Sequence, residues 1–335
     1  MTDINPSQQL DTMLDLYLEK HKVRDKFDGE LELEVRFGTK SKNVITHNDR
    51  DNVVKRLLAA GFVPPSDKEY FLRVQLHSET QDISNIRTRI SGINNVSKYC
   101  RGDSPIDVKG NNIADYEKKF RLRDNEEPVS PVDFDDFNFR VSLQMEKQLA
   151  YSSEEVSAVV NQDTWQNNVK TFRYINRCTY TSKEYPFNVD ISIVKQSTNK
   201  AYRFNDSDVL KTPQKYEIEI EVDSSKVGEN TNYTTKEEVG TALKKVIKII
   251  LAGLQSSNYP IPLSKQNLVI RDYMELLWGT KAKSQKVTPR SFVGPSSLTL
   301  QLQNVLRSGE NSKITDILEN YTVTDKQMAI ANCYS

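Results

Sequence analysis

Two short segments, at the start and at the end of a β-rich region, alternate glutamate with aliphatic residues. They read ELELEVRFG over 30–38 and YEIEIEV over 216–222. Side chains of an extended strand alternate between two faces, so each segment predicts a strand with three glutamates opposite an apolar row. Glutamates two residues apart lie about 7 Å from each other and repel by about 0.6 kcal/mol in bulk water, or about 2.4 kcal/mol at an effective dielectric of 20. Inside a cavity such a row therefore requires a compensating cation.

The two acidic strands face either solvent or an enclosed interior. A single strand of this kind is usually half-buried with its charged face in water. Two copies that bracket a β-rich region favour an interior, where the strands lie side by side or face each other across a closed barrel.

The remaining periodicity predicts an α+β protein. Including the acidic strands, period-two segments separated by turn residues predict eight strands, at 30–38, 70–77, 84–91, 116–123, 138–149, 171–181, 187–195 and 215–222. Eight antiparallel strands are a common number for a closed β-barrel that holds a ligand. Helical spacing predicts flanking helices at 7–20, 49–60, 153–168, 236–255 and 265–278. The last two are expected to pack beneath the barrel as a pedestal.

Composition excludes several classes of protein. The chain has 335 residues with 46 Lys and Arg against 46 Asp and Glu, so the total charge gives no reason to expect a general DNA or membrane-surface binder. Its three cysteines show no CxxC spacing, and its three histidines show no zinc-site spacing. No secretory signal or membrane-spanning run is visible, which leads us to expect a cytoplasmic protein without a membrane partner.

Basic residues alternate on the strands between the two acidic ones. The pairs Arg87 and Arg89, and Arg173 and Arg177, each share a face of their strand. Further candidates follow the same pattern or end a strand: Lys119, Arg121, Arg123 and Lys195. Guanidinium groups suit bidentate phosphate binding, and lysine adds a point charge. An exposed strand face remains the alternative for each pair.

Carboxylates on one wall and bases on another suit a metal-bound polyphosphate. The hard cations Mg²⁺ and Mn²⁺ accept carboxylate oxygens and leave positions for water and phosphate. Glu146 and Asp190 are candidates to orient an attacking water, or they pair with a neighbouring arginine. Because phosphate-binding loops, dinucleotide loops and nucleophile elbows are missing, metal-assisted hydrolysis is the chemistry that the residues favour.

The paired segments 32–38 and 216–221 resemble the first and last signature strands of the tunnel-type triphosphate metalloenzymes. Within that superfamily the chain looks like the RNA 5′-triphosphatase domain of mRNA capping enzymes of large cytoplasmic DNA viruses, over residues 28 to 225. Supporting stretches are SNIRTRI at 84–90, NVSKYC at 95–100, RVSLQME at 140–146 and VDISIVKQ at 189–196. The resemblance implies a closed tunnel, dependence on Mg²⁺ or Mn²⁺, and removal of the γ-phosphate from 5′-triphosphate RNA in the first step of capping. Cytoplasmic viral factories or virions are the implied location.

The resemblance also implies roles for individual residues. By position, the metal ligands are Glu32, Glu34, Glu219 and Glu221, whereas the share of Glu30 and Glu217 stays open. The basic lining includes Arg36, Arg87, Arg177 and Lys195, with Arg36 assigned to catalysis beside Glu146 and Asp190. Arg89, Lys119 and Arg173 join the substrate-binding set because they belong to the alternating bases of the strands between the two acidic ones.

The C-terminal region predicts a separate segment. Residues 1–278 are expected to form the tunnel domain with its helical pedestal, and residues 279–335 a linker and tail. That tail looks like the connector to a viral guanylyltransferase domain, but Lys326 lacks the Asp-Gly pair of the nucleotidyl-lysine motif, so we do not assign it as a nucleophile. Guanylyltransferase or methyltransferase components are possible partners in another chain.

Two other functions remain open at the level of sequence. One is a tunnel phosphohydrolase that acts on nucleoside triphosphate or inorganic polyphosphate. The other is a non-catalytic barrel that binds RNA ends or a capping partner.

Overall fold

The computed structural model describes residues 5–38, 44–77 and 85–278. The chain divides into two compact units, Met1–Ile261 and Pro262–Ser335. The first contains α1 (Pro6–Lys22), α2 (His47–Ala59), α3 (Ile93–Gly102), α4 (Glu154–Val160), α5 (Gln162–Asn167) and α6 (Lys236–Leu254). The second contains α7 (Leu263–Trp278), and the predicted linker and tail at 279–335 lie outside the described residues. No helix among the described residues is both long and apolar enough to cross a membrane.

Eight strands of the first unit form a closed antiparallel barrel. They are β1 (Glu30–Phe37), β2 (Glu69–Leu76), β3 (Ile86–Ser91), β4 (Asp115–Arg121), β8 (Phe139–Leu149), β9 (Lys170–Tyr180), β10 (Phe187–Gln196) and β11 (Lys215–Val222). Three shorter strands, β5 (Arg123–Asp124), β6 (Glu127–Pro128) and β7 (Val132–Phe134), lie in the connection between β4 and β8. β5 pairs with β6, and β7 adds to β8 outside the barrel. The predicted fold class and all eight barrel strands are confirmed.

Strand β1 closes the barrel because it pairs on both edges. The order around the wall is β1, β11, β10, β9, β2, β3, β4 and β8, and β8 returns to β1. Glu34 lies opposite Glu221 on one side and opposite Ser142 on the other. The two acidic strands are therefore neighbours, so their glutamates form one wall rather than two facing walls.

The apolar rows of the strands point outward and are covered by helices. Leu33 and Val35 of β1 and Ile218 and Ile220 of β11 are buried in one cluster with residues of α1, α2 and α6. A second cluster on the opposite side joins β2, β3, β4 and β9 to α3, α4 and α5. Because both helical layers consume the apolar rows, the glutamates and bases of the same strands are left facing the interior.

Helix boundaries follow capping chemistry where the sequence offers it. Thr46 and Asp49 form a reciprocal capping box at the start of α2, and Thr235 and Glu238 do the same for α6. The helix predicted at 153–168 is two helices, because Asn161 is extended and caps α5 with its side chain. Helix α3 was not predicted; it is short, and two of its ten residues, Val96 and Tyr99, are buried.

Candidate active site in the barrel interior

The barrel encloses a cavity of about 880 Å³. All eight barrel strands contribute to its lining, which includes ten Arg and Lys side chains and seven Glu side chains. This volume is within the range of small-ligand sites. The basic excess means that the interior favours an anion before any cation is added.

The acidic wall is formed by Glu32 and Glu34 of β1 and Glu219 and Glu221 of β11. Glu34 and Glu219 are buried. Burial, and next to it the charge of Glu219, raises the pKa of the Glu34 carboxyl, although Lys119 and Arg36 oppose the shift. Glu34 thus lies in a place where a carboxylate needs more positive charge than its surroundings supply.

Two bases occupy the spaces between these glutamates. Lys119 of β4 places Nζ 2.5 Å from Oε2 of Glu32 and 2.9 Å from Oε2 of Glu34. Arg36 places Nε 2.6 Å from Oε1 of Glu219 and 2.9 Å from Oε1 of Glu34. Burial alone favours the neutral forms of both bases, but the glutamates outweigh it and raise the pKa of Lys119 and of Arg36. Each base therefore remains charged and bridges two carboxylates.

Glu219 and Glu221 differ in protonation although they lie two residues apart. Burial favours the neutral Glu219 carboxyl, but Arg36 and Arg177 outweigh burial and lower its pKa. Burial raises the pKa of Glu221 to about 8, and the charges of Glu32 and Asp190 add to the shift. At neutral pH the raised pKa favours the protonated form of Glu221.

Asp190 faces the interior but is engaged by its neighbours. Its Oδ2 lies 2.7 Å from Nη1 of Arg177, and its Oδ1 accepts a hydrogen bond of 2.6 Å from the Thr179 hydroxyl. Burial raises its pKa, while Arg177 and Thr179 oppose the shift. The same arginine reaches Glu219 at 3.3 Å. Asp190 therefore orients Arg177 towards the acidic wall.

Arginines form a row on the wall away from the glutamates. Arg73 of β2 lies in register with Arg89 of β3 on one side and with Arg173 of β9 on the other. Like charges directly opposite on adjacent strands are destabilising. The Nε groups of all three are buried and lack a hydrogen-bond partner. Burial, and next to it the charge of Arg87, lowers the pKa of Arg73 to about 10.

The carboxylates near this row neutralise it only in part. Glu117 lies 3.6 Å from Nη2 of Arg73 and 3.5 Å from Nη1 of Arg89. Glu217 receives two 2.7 Å contacts from Nη2 of Arg173. Arg87 forms no ion pair with a described residue. Unpartnered donors and unbalanced charge make this wall suited to an oxyanion with several oxygens.

Glu146 lines the cavity between the two walls, in register with Lys119 on one side and Glu30 on the other. Burial and the Glu117 charge raise its pKa, against the opposing charges of Lys119 and Arg87. No described side chain donates a hydrogen bond to it, so it is available to a water molecule. A carboxylate with a raised pKa is suited to accept a proton near neutral pH.

The structure brings most of the predicted site residues together. Lining residues include Glu32, Glu34, Arg36, Arg87, Arg89, Lys119, Glu146, Arg173, Arg177, Glu219 and Glu221, and Asp190 supports Arg177 from the same face. Of the two uncertain glutamates, Glu217 lines the cavity and pairs with Arg173, whereas Glu30 is exposed and is not part of the lining.

Lys195 requires a correction. The inward face of β10 carries Asp190 and Ser192, so Lys195 points outward by parity. Its Nζ donates to the carbonyl oxygen of Leu210 on the outside of the barrel. Lys195 therefore does not join the basic lining.

Arg73 and Glu117 are cavity residues that the sequence did not single out. The signal was present, because Arg73 alternates with Leu72 and Val74, and Glu117 shares its strand face with Lys119. A lone base in an apolar strand and a glutamate among lysines each resembled an ordinary surface position, and only the closure of the barrel distinguishes them.

The acidic wall fits a hard divalent cation by its donor chemistry, since carboxylate oxygens are preferred ligands of Mg²⁺ and Mn²⁺. Oε2 of Glu32 and Oε1 of Glu34 are buried and have ion-pair contacts but no hydrogen bond. Within residues 5–38, 44–77 and 85–278, no group of three or more His, Cys, Asp or Glu side chains is arranged as a metal site. Lys119 and Arg36 lie between the carboxylates and bridge them.

Comparison with known proteins gives matches among solved structures. No protein-family model and no curated protein sequence matches the chain. Similar structures include the RNA triphosphatase domain of a trifunctional mimivirus mRNA capping enzyme, at 15% identity and a TM-score of 0.44, covering 71% of this chain and 96% of that one. A triclinic form of the mimivirus capping enzyme triphosphatase matches at 15% identity and 0.47, covering 71% and 95%.

The Pct1 RNA triphosphatase of S. pombe matches at 14% identity and a TM-score of 0.41, covering 72% of this chain and 91% of that one. These neighbours are of the kind that the sequence resemblance names.

Proposed function

We propose that this protein is a metal-dependent polynucleotide 5′-phosphatase that removes the γ-phosphate from 5′-triphosphate RNA. The observation that carries the proposal is a closed interior in which four glutamates face a wall of arginines with buried, unpartnered Nε donors. A triphosphate end has enough negative charge to satisfy those donors. RNA is the proposed polynucleotide because the acidic strands resemble those of viral capping triphosphatases.

The arginines and Lys119 bind and orient the triphosphate. Arg73, Arg87 and Arg89 supply forked donors on one wall, while Lys119, Arg36 and Arg177 lie on the side of the glutamates. Donors held in place before the reaction stabilise charge that develops on the departing diphosphate. Asp190 acts on this step through Arg177, which it orients.

Glu32, Glu34, Glu219 and Glu221 would hold Mg²⁺ or Mn²⁺. When bound, such a cation neutralises phosphate oxygens and lowers the pKa of coordinated water. Because Lys119 and Arg36 now bridge these carboxylates, both bases become free to contact phosphate once the carboxylates are otherwise neutralised.

Glu146 is the proposed general base. The oxygen of a water molecule attacks the γ-phosphorus, the bond from that phosphorus to the β–γ bridging oxygen breaks, and the water proton passes to Glu146. The products are inorganic phosphate and RNA with a 5′-diphosphate end. Burial of Glu146 keeps its pKa raised, which makes it a stronger base once deprotonated.

The test is phosphate release from 5′-triphosphate RNA with Mg²⁺ or Mn²⁺. Glu32→Gln and Glu219→Gln should each reduce kcat by about 10²- to 10³-fold, because each removes a carboxylate that would hold the cation, and with it the charge stabilisation that the cation supplies. Lys195→Gln is the matched control, since that side chain lies outside the barrel. Unchanged turnover in the glutamate variants would refute the proposal.

The same assay separates the other two functions. Faster turnover of free ATP or inorganic tripolyphosphate than of RNA ends identifies a general triphosphate hydrolase. Binding of RNA ends without phosphate release from any of these compounds identifies a binding module.

A further inference from the structure

Different charged side chains stand at the two ends of the barrel. β1 ends at Phe37 beside the start of β8 at Phe139, while β4 also ends and β11 also begins on that side. The cavity lining extends to this end, which we call the mouth, and includes Lys215, Arg121 and the exposed Val44. The cavity lining therefore reaches this end of the barrel.

Two lining bases at the mouth are exposed and form no ion pair with a described residue. Lys215 is the first residue of β11 and Arg121 the last of β4. Both are exposed, and neither forms an ion pair with a residue in the described ranges. A third base, Arg140, is neutralised by Asp133, whose oxygens lie 2.8 and 3.1 Å from its Nε and Nη2. Among the described residues that line the cavity at this end, Lys215 and Arg121 are therefore the bases without an ion pair.

The opposite end of the barrel is acidic. Glu30 begins β1, Glu69 begins β2 and Asp115 begins β4, and all three are exposed. None of the three is among the residues that line the cavity. Glu69 pairs with Arg89 at 3.1 Å, while Glu30 has no ion pair with a described residue. Glu30, Glu69 and Asp115 repel a polyanion at this end, whereas Lys215 and Arg121 attract its phosphates at the mouth.

We propose that the mouth binds the sugar–phosphate backbone of the nucleotides that follow the triphosphate, through Lys215 and Arg121. This inference rests on the proposed function, and it makes a single-stranded RNA end the preferred substrate over free triphosphates. The triphosphate lies inside the barrel, and the first phosphodiesters lie at the mouth. Bases and an electropositive groove that tracks the backbone are a common means of binding single-stranded nucleic acid.

The strength of this contact is set by salt. Each phosphate neutralised on a single strand contributes about −0.7 to the slope of log affinity against log salt, so two contacts contribute about −1.4. Inorganic tripolyphosphate has no nucleotides beyond its phosphates, so it lacks the backbone contacts proposed at the mouth. The difference in salt dependence between RNA and tripolyphosphate therefore measures the contribution of the mouth separately from that of the interior.

The experiment compares the double variant Lys215→Gln, Arg121→Gln with the wild type. For a 5′-triphosphate RNA of ten nucleotides, kcat/KM should fall by about tenfold near 0.1 M salt, with a salt slope shallower by about 1.4. For tripolyphosphate, kcat/KM should change by less than about twofold. Lys244→Gln, Lys245→Gln is the matched control, because both lysines are exposed on α6 and the charge change is identical. Kd of the same RNA, measured by fluorescence anisotropy, provides a comparison that needs no turnover.

Each outcome decides between the two proposals. Normal RNA turnover in the mouth variant, or an equal loss for RNA and tripolyphosphate, overturns the inference and leaves the proposed hydrolysis intact. Absence of phosphate release together with an RNA-specific loss of binding refutes the proposed hydrolysis and supports the mouth. Undetectable RNA binding by wild-type protein overturns the inference.

Discussion

The Lys119 side chain lies between the proposed cation site and the proposed phosphate site of the interior. It bridges Glu32 and Glu34, which are the proposed cation ligands, and it lies beside the proposed phosphate site. A cation at the glutamates and the ammonium of Lys119 exclude each other. Once released, the ammonium is available to an anion. Cation and anion should therefore bind with positive coupling, and each should tighten the other by the same factor.

We predict that Lys119→Gln binds Mn²⁺ more tightly than the wild type when no anion is present, by about tenfold, because no ammonium has to be displaced. Sulfate should tighten Mn²⁺ binding by the wild type but have little effect on the variant. Isothermal titration calorimetry with and without sulfate measures both effects. The control is Lys118→Gln, since Lys118 is the preceding residue on the outer face and pairs with Glu155. Equal sulfate enhancement in all three proteins would contradict the coupling.

Glu221 predicts a dependence of stability on pH. Its pKa is raised to about 8 in the folded protein, mainly by burial. Between an unfolded value near 4.5 and about 8, the folded state holds a proton that the unfolded state has lost, so stability falls as pH rises through this range.

We predict that Glu221→Gln removes part of this fall and has a higher Tm than the wild type, by a few degrees, in metal-free buffer at pH 8.5. Thermal unfolding from pH 5 to pH 9 checks it, with the exposed Glu229→Gln as control. Parallel curves for the wild type and Glu221→Gln would show that this carboxyl is not perturbed.

At the scale of elements, α6 is held against α2 by a close approach at Gly253. A Cβ at this position would lie 2.6 Å from Cα and 2.9 Å from N of Val53, which are backbone atoms of a buried turn of α2. On the same helix, a Cβ at Gly240 would meet only Cδ1 of Leu14, at 3.2 Å. Side-chain termini move more easily than backbone, so the two glycines are constrained unequally.

We predict that Gly253→Ala destabilises the protein by about 1–3 kcal/mol, as expected when a well-packed interface is overfilled. Gly240→Ala should lie within about 1 kcal/mol of the wild type, because better helix propensity offsets a small shift of Leu14. Urea unfolding of both variants measures the difference. Equal free energies of unfolding for Gly253→Ala and Gly240→Ala would mean that α2 and α6 move apart at Gly253 without loss of stability.

At the scale of the whole molecule, closure of the barrel concentrates charges that the total composition balances. The pKa values of Glu34, Glu146 and Glu221 are all raised, with burial as the largest cause in each case. These carboxyls release their protons at higher pH than exposed glutamates do, so a cation at the acidic wall would compete with protons. The interior as a whole therefore links cation binding to pH.

We predict that 1 mM Mn²⁺ raises Tm by several degrees at pH 8 and by clearly less at pH 6, because more protons must leave at the lower pH. Differential scanning calorimetry at the two pH values checks this prediction. The double variant Glu219→Gln, Glu221→Gln should show little shift at either pH. A wild-type shift that is equal at pH 6 and pH 8 would exclude competition with protons.

Much of the site was accessible from local pattern. Alternation placed Glu32, Glu34, Glu219 and Glu221 on one strand face each, and it identified Arg87 and Arg89 as a pair. The prediction was wrong for Lys195. Lys195 and Asp190 are an odd number of residues apart on β10, so their side chains lie on opposite faces of the strand. Arg73 was not predicted as a site residue, because a single base on an otherwise apolar strand shows no alternation of charges.

The sequence by itself determined the strands, their two-faced character and the residue types that chemistry at the interior requires, because side-chain alternation is a property of each strand alone. Tertiary structure decided what those faces meet. It made the acidic strands neighbours, set Arg73 in register with Arg89 and Arg173, and brought Lys119 between two glutamates. It also placed Lys215 and Arg121 at one end of the barrel and Glu30, Glu69 and Asp115 at the other. These relations depend on which strands pair and in which register, and pairing is a long-range outcome that alternation within one strand does not specify.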